Sequence, residues 1–112
     1  MSIFKEFLIR EEEERRKLRK EVLHQTFKAL EDLSKNVKFK RAYIFGSLAW
    51  EKFYTQSDVD IAFENLENGK IFYTVGFLSE KIGRNVDVVE LEKLPKNLKE
   101  KIIKEGISWN PS

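Results

Sequence analysis

The chain contains no cysteine, one methionine, two prolines and one histidine among its 112 residues. Without cysteine there is no disulfide framework, no thiolate nucleophile and no sulfur-ligated zinc site. The lone His24 has no second histidine to share a metal with and no catalytic partner nearby in sequence, so it reads as a flank residue of a charged helix. No apolar run approaches the roughly 20 residues needed to span a bilayer. The start carries Ile3, Phe4, Phe7, Leu8 and Ile9 but runs straight into Glu11–Glu14, with no basic leader or small-residue cleavage site. No signal peptide is read, and a cytoplasmic location without a membrane partner is expected. An excess of one charge is missing as well. Lys and Arg total 21 against 19 Asp and Glu, a net +2 that makes a nucleic-acid partner unlikely on electrostatic grounds.

What is present describes one globular domain over residues 1–112, with 41% hydrophobic and 36% charged residues. A chain of this size buries roughly two-thirds of its unfolded surface, enough for one core. Between Glu11 and Leu33 neither Gly nor Pro interrupts, and Leu18, Val22, Leu23, Phe27, Leu30 and Leu33 recur at three-to-four-residue steps. That spacing predicts an amphipathic helix within an N-terminal segment 1–34. Its acids Glu11–Glu14 stand one turn before Arg15, Arg16, Lys17, Arg19 and Lys20, a solvated ladder worth roughly a few tenths of a kcal/mol per pair. A central segment 40–92 follows. Arg41–Phe45 is a short apolar run ending at Gly46 and reads as a buried strand, and Ser47 to Tyr54 as a short helix capped by Ser47. A strand from Asp58 to Phe63, a helix from Ile71 to Ile82 and a strand from Val86 to Leu91 come next. The last segment, 95–112, holds a helix opened by Pro95, stopped at Gly106 and followed by a final short strand or extended tail. The order implies an α+β (α/β-like) domain, a small mixed sheet with helices mainly on one face.

The chemistry is concentrated in that central segment. Asp58-Val59-Asp60-Ile61-Ala62-Phe63 alternates strictly, placing both aspartates on one face and Val59, Ile61 and Phe63 on the other. Their Cβ atoms are then roughly 6.5–7 Å apart, within reach of common cations. Unpaired carboxylates are too costly to bury, so their face is expected to meet water, a cation or a cation-rich partner. Gly46-Ser47, closing one strand and opening a helix, offers backbone N–H groups and a hydroxyl to a phosphate. Asp87, with Val86 and Val88 pointing the other way, can join the face of Asp58 and Asp60; Glu90 is the rival for third carboxylate. Oxygen-only ligands of this kind suit Mg²⁺ or Mn²⁺.

Gly46-Ser47, ten intervening residues and then Asp58-Val59-Asp60 resembles the Gly-Ser-x10-Asp-x-Asp signature of the DNA polymerase β-like nucleotidyltransferases. The short chain and the later Val86-Asp87-Val88-Val89 make it similar to the minimal nucleotidyltransferase (MNT) group, over about Arg41 to Leu91. The resemblance implies the nucleotidyltransferase fold with residues 40–92 as catalytic core. It implies that Asp58 and Asp60 bind the metal ions holding the triphosphate, that Asp87 completes the metal site and helps activate the acceptor hydroxyl, and that Gly46 and Ser47 contact the phosphates. ATP is the implied substrate and AMP the group transferred. The group's members commonly act as antitoxins beside a HEPN-domain toxin, so a small helical toxin is the expected partner, with self-association a further option. The N-terminal helix, led by Phe4, Phe7 and Leu8, is either a docking element or packed on its own domain.

Many relatives carry Arg and Gly shortly after the Gly-Ser, where this chain has Trp50 and Glu51. Lys52 and Arg41 are the candidates to restore positive charge, and Trp50 is a candidate to stack on a base. The alternative reading is a catalytically inactive protein of this fold that neutralises a toxin by binding alone.

Overall fold

In the computed structural model, which describes residues 2–50 and 53–111, the chain folds as a four-stranded mixed sheet with helices on both faces. Helix α1 spans Ile3–Ser34, two turns earlier than the periodicity requires, because Ser2 caps it by accepting from the Lys5 N–H at 3.2 Å and nothing downstream breaks it. Strand β1 is Arg41–Phe45, β2 Val59–Glu64, α2 Ile71–Ile82, β3 Val86–Glu90, α3 Lys96–Glu105 and β4 Ile107–Trp109. A single 3-10 turn, Leu91–Lys93, joins β3 to α3.

The sheet order is β3-β2-β1-β4. Strand β1 is antiparallel to both β2 and β4, and β2 runs parallel to β3 through the α2 crossover. Helices α1 and α2 cover one face, where Leu30, Leu33 and Leu78 pack against Ile44, Val59, Ile61 and Phe63, all fully buried. Each such side chain contributes about 1.5–3 kcal/mol of transfer free energy. Helix α3 alone lies on the opposite face, closing Ile102 over Tyr43, Ala62 and Leu91. The aspartate face is therefore open only at one end, since Ala62, which shares that face, is completely buried.

The short helix expected from Ser47 to Tyr54 does not form among the described residues; positions 46–50 make a turn. One helical hydrogen bond is present, from the Trp50 N–H to the Gly46 carbonyl at 3.0 Å. Two carbonyls farther along the turn accept from a side chain: Arg19 of α1 donates Nε to Leu48 O at 2.7 Å and a terminal nitrogen to Ala49 O at 3.4 Å. A helix would need those same oxygens for N–H groups four residues on. Glu51 and Lys52 lie outside the described residues.

Helix α1 packs on the domain only through its second half. A 32-residue helix is about 48 Å long, and the molecule's longest dimension is 56 Å. Ile3, Phe4, Phe7, Leu8 and Ile9 on its first turns are 47–86% exposed, so the alternative in which they pack on their own domain is not realised. No helix among the described residues is long and apolar enough to cross a membrane.

Candidate active site

The strand register gathers the predicted residues at one end of the sheet. Asp60 lies between two neighbours, paired with Phe45 of β1 on one side and with Asp87 of β3 on the other. Asp58 immediately precedes β2 and is exposed. Gly46 and Ser47 follow directly from Phe45, so the turn they begin stands over Asp60. Gly46 adopts φ 72°, a left-handed conformation that glycine takes without steric cost. A Cβ at Gly46 would collide with the Asp60 carboxylate, whose Oδ2 is the first atom it meets and whose Cγ is 3.2 Å away. The glycine is needed for two separate reasons, backbone conformation and the closeness of Asp60.

This crowding has an electrostatic signature. Asp60 is pushed up to about 6, chiefly by burial, then by the charge of Asp87, a hydrogen bond shared with the Asp87 side chain, and the charge of Asp58. None of the three aspartates forms an ion pair with Lys, Arg or His among the described residues. The donors are all oxygen and the charge is uncompensated, a set that fits a hard divalent cation. As they stand, no three His, Asp or Glu side chains among the described residues are gathered closely enough to hold a metal ion. Asp60 and Asp87 are together, and Asp58 is exposed beside them. Glu90, the rival carboxylate, is committed elsewhere, to Lys93 at 2.7 Å.

The residues expected to face a phosphate, Gly46 and Ser47, lie in the turn itself. The N–H groups of Ser47, Leu48 and Ala49 make no backbone hydrogen bond among the described residues, which leaves donors at the mouth of the carboxylate cluster. The cradle is thus a turn rather than a helix N-terminus.

Several assignments change. Arg41 is at the far end of β1, paired with Glu64, and its guanidinium donates to the Tyr43 hydroxyl at 3.4 Å; it cannot supply charge beside Asp60. The ring of Trp50 is already covered by the Lys101 ammonium, 4.4 Å from its centroid. Reasoning from sequence missed Arg19, Arg84 and Lys101. Arg84 stacks 4.8 Å over Phe53 and donates to Ser57 O at 2.9 Å, fixing the segment that leads into Asp58. All three reach the loop from residues 27 or more positions away, and nothing local in the sequence marks them. Two grooves, of about 430 and 500 Å³, run along α1 beside Phe53 and Tyr54, and none of the three aspartates lines either.

The profile of the family described as Polymerase beta, Nucleotidyltransferase matches residues 27–108. No curated protein sequence matches significantly. Among solved structures, the chain is similar to a toxin–antitoxin with AMP-PNP, at 25% identity and TM-score 0.61 over 80% of this chain and 73% of that one. A mutant of the toxin–antitoxin MntA-HpeT is similar at 25% identity and TM-score 0.60, covering 76% and 71%. A protein described as a minimal nucleotidyltransferase aligns at 25% identity and TM-score 0.51, covering 86% and 93%.

Proposed function

The chain belongs to the polymerase beta nucleotidyltransferase family, with its minimal, antitoxin-type members as structural neighbours, and on that premise we propose that it transfers AMP from ATP to a hydroxyl of a partner macromolecule. The observation that carries the reading is the stack of Gly46 on Asp60 and Asp60 on Asp87, an uncompensated carboxylate pair under a turn with free N–H donors. The acceptor oxygen attacks the α-phosphorus, the bond from that phosphorus to the bridging oxygen of the β-phosphate breaks, and pyrophosphate leaves. Asp58, Asp60 and Asp87 would hold Mg²⁺ or Mn²⁺, which would supply charge to the triphosphate and lower the acceptor hydroxyl's pKa. Asp87 orients the acceptor and takes up its proton. Gly46 and Ser47 hold the phosphates through the backbone and the Ser47 hydroxyl.

The partner in this reading is a helical toxin of the HEPN type, and the protein acts as its antitoxin. Support comes from the two toxin–antitoxin neighbours and from the exposed apolar turns at the start of α1. A second reading, neutralisation by contact without turnover, is favoured by one observation, the carboxylates not being gathered for a metal ion as they stand.

Thermal unfolding with and without ATP and Mg²⁺ separates the two. A ligand held only by the native state raises the melting temperature. Turnover predicts a metal-dependent ATP shift in the wild type that is missing from Asp58→Asn/Asp60→Asn, followed by label transfer from α-labelled ATP to the co-expressed toxin. No shift in either protein, with toxin still neutralised, establishes the contact-only reading instead.

A further inference from the structure

We propose that Lys101 is the triphosphate-binding cation of this site, parked on Trp50 until the nucleotide arrives. The inference rests on the nucleotidyl-transfer reading and assigns the positive charge that the Gly46-Ser47 turn does not itself carry.

Position is the first support. Helix α3 is the helix that lies on the carboxylate face of the sheet, while α1 and α2 pack on the other. Its C-terminal end leads into β4, where Ile107 pairs with Ile44, one residue before Phe45 and two before Gly46. A continuous chain of contacts then links the catalytic end to Lys101. Asp60 lies under Gly46, the Gly46 carbonyl accepts from the Trp50 N–H at 3.0 Å, and the Trp50 ring carries the Lys101 ammonium at 4.4 Å.

Elimination is the second. Among the described residues, the cations that touch the loop between Gly46 and Asp58 include Arg19 and Arg84, both spent on backbone carbonyls, which a bound phosphate cannot match without loosening the loop. Arg15 sits on Tyr54 from α1, on the far side of the sheet. Lys101 is exposed and has no carboxylate within ion-pair distance among the described residues.

Chemistry is the third. The indole Nε1–H is buried with no acceptor among the described residues, so Trp50 is not anchored by its polar edge, and its face is what it offers. An ammonium over an indole face is attracted more weakly than an ammonium hydrogen-bonded to a phosphate oxygen. Lys101 can therefore exchange one for the other without breaking a structural contact, and in doing so it uncovers the Trp50 ring.

The test uses the Trp109→Phe protein, in which Trp50 is the remaining tryptophan, titrated with ATP plus Mg²⁺ and separately with AMP. ATP is expected to change Trp50 emission, and Lys101→Gln to weaken ATP binding by about tenfold or more, the scale of one charge-assisted hydrogen bond. Lys101→Arg should keep most of the ATP affinity, and AMP should bind the wild-type and Gln forms alike. ATP binding equal in the Gln form, or AMP lost as much as ATP, overturns the assignment while leaving nucleotidyl transfer intact. Failure of the parent protein to bind ATP with Mg²⁺ overturns both together.

Discussion

Gly46 and Asp60 are in contact backbone to carboxylate, so closely that the α-carbon of the first cannot carry a side chain while the second keeps its place. The contact joins the phosphate turn to the carboxylate pair and makes them one unit. Gly46→Ala is expected to destabilise the fold by about 1–3 kcal/mol, from the left-handed backbone and the collision together. Asp60→Ala removes the collision but not the φ strain. In a double-mutant cycle by urea denaturation the two substitutions should therefore couple, Gly46→Ala costing less beside Asp60→Ala than alone. Additive effects would show that the turn moves aside freely.

Asp60 also predicts how stability depends on pH. Its pKa of about 6 in the folded protein lies above the ordinary 3.8, so between those values the native state binds more protons than the unfolded chain. Its contribution to stability is then complete below about 4 and is lost as pH rises through about 6. Asp60→Asn, which cannot ionise, should melt higher than the wild type at pH 8 with EDTA present. That advantage should shrink below pH 6 and vanish near pH 4. Mg²⁺ at neutral pH should raise the wild-type melting temperature and leave that of Asp60→Asn almost unchanged. A pH-independent difference between the two proteins would mean that Asp60 is not held in a crowded, partly desolvated place.

Arg19 holds the turn at positions 46–50 through two backbone carbonyls. Replacing it with Met keeps the hydrocarbon stem and deletes the donors to Leu48 O and Ala49 O. A loss of about 1–3 kcal/mol is expected from the unpaired carbonyls and the missing charge-assisted bonds. Calorimetry should show ATP binding weakened about tenfold although Arg19 touches no nucleotide in this arrangement. A lower stability with unaltered ATP affinity would make Arg19 a packing residue only.

These residues also show what was legible beforehand. Strand β2, with Asp60 and Ala62 on one face, follows from period-two alternation, a local code that survives folding because a slip of one residue would bury the carboxylate, while β1 was legible as a short apolar run ending at Gly46. The helix expected after Ser47 is absent among the described residues, where two of its carbonyls accept from Arg19, some thirty positions earlier, and no local pattern announces such a bond. The assignment of Arg41 failed for a related reason. It adjoins the motif in sequence, yet a five-residue strand carries it to the opposite end of the sheet, where it meets Tyr43 and Glu64. Lys101 and Trp50 meet through a helix packed across the sheet, a juxtaposition decided by tertiary structure alone.

The first turns of α1 give the last prediction. Phe4, Phe7 and Leu8 are 69%, 57% and 47% exposed, so changing all three to Ser removes little burial within this chain. On the helix, positions 4 and 8 continue the line of Leu18, Val22, Thr26 and Leu33 that faces the core farther along, with Arg15, stacked on Tyr54, between the two stretches. The core stripe therefore extends past the end of the domain, presenting apolar side chains with no domain beneath them, which marks an interaction surface. Denaturant midpoints of the triple Ser variant should stay close to the wild type, with a stability change of about 0.5–1 kcal/mol at most. Sedimentation of the protein alone and mixed with the proposed toxin partner reads the rest. Loss of the mixed complex with the free protein unchanged assigns this surface to the toxin, and loss of a self-associated species assigns it to a second copy. A variant that assembles as the wild type does, or that unfolds, would show that the exposed turns are not a docking surface.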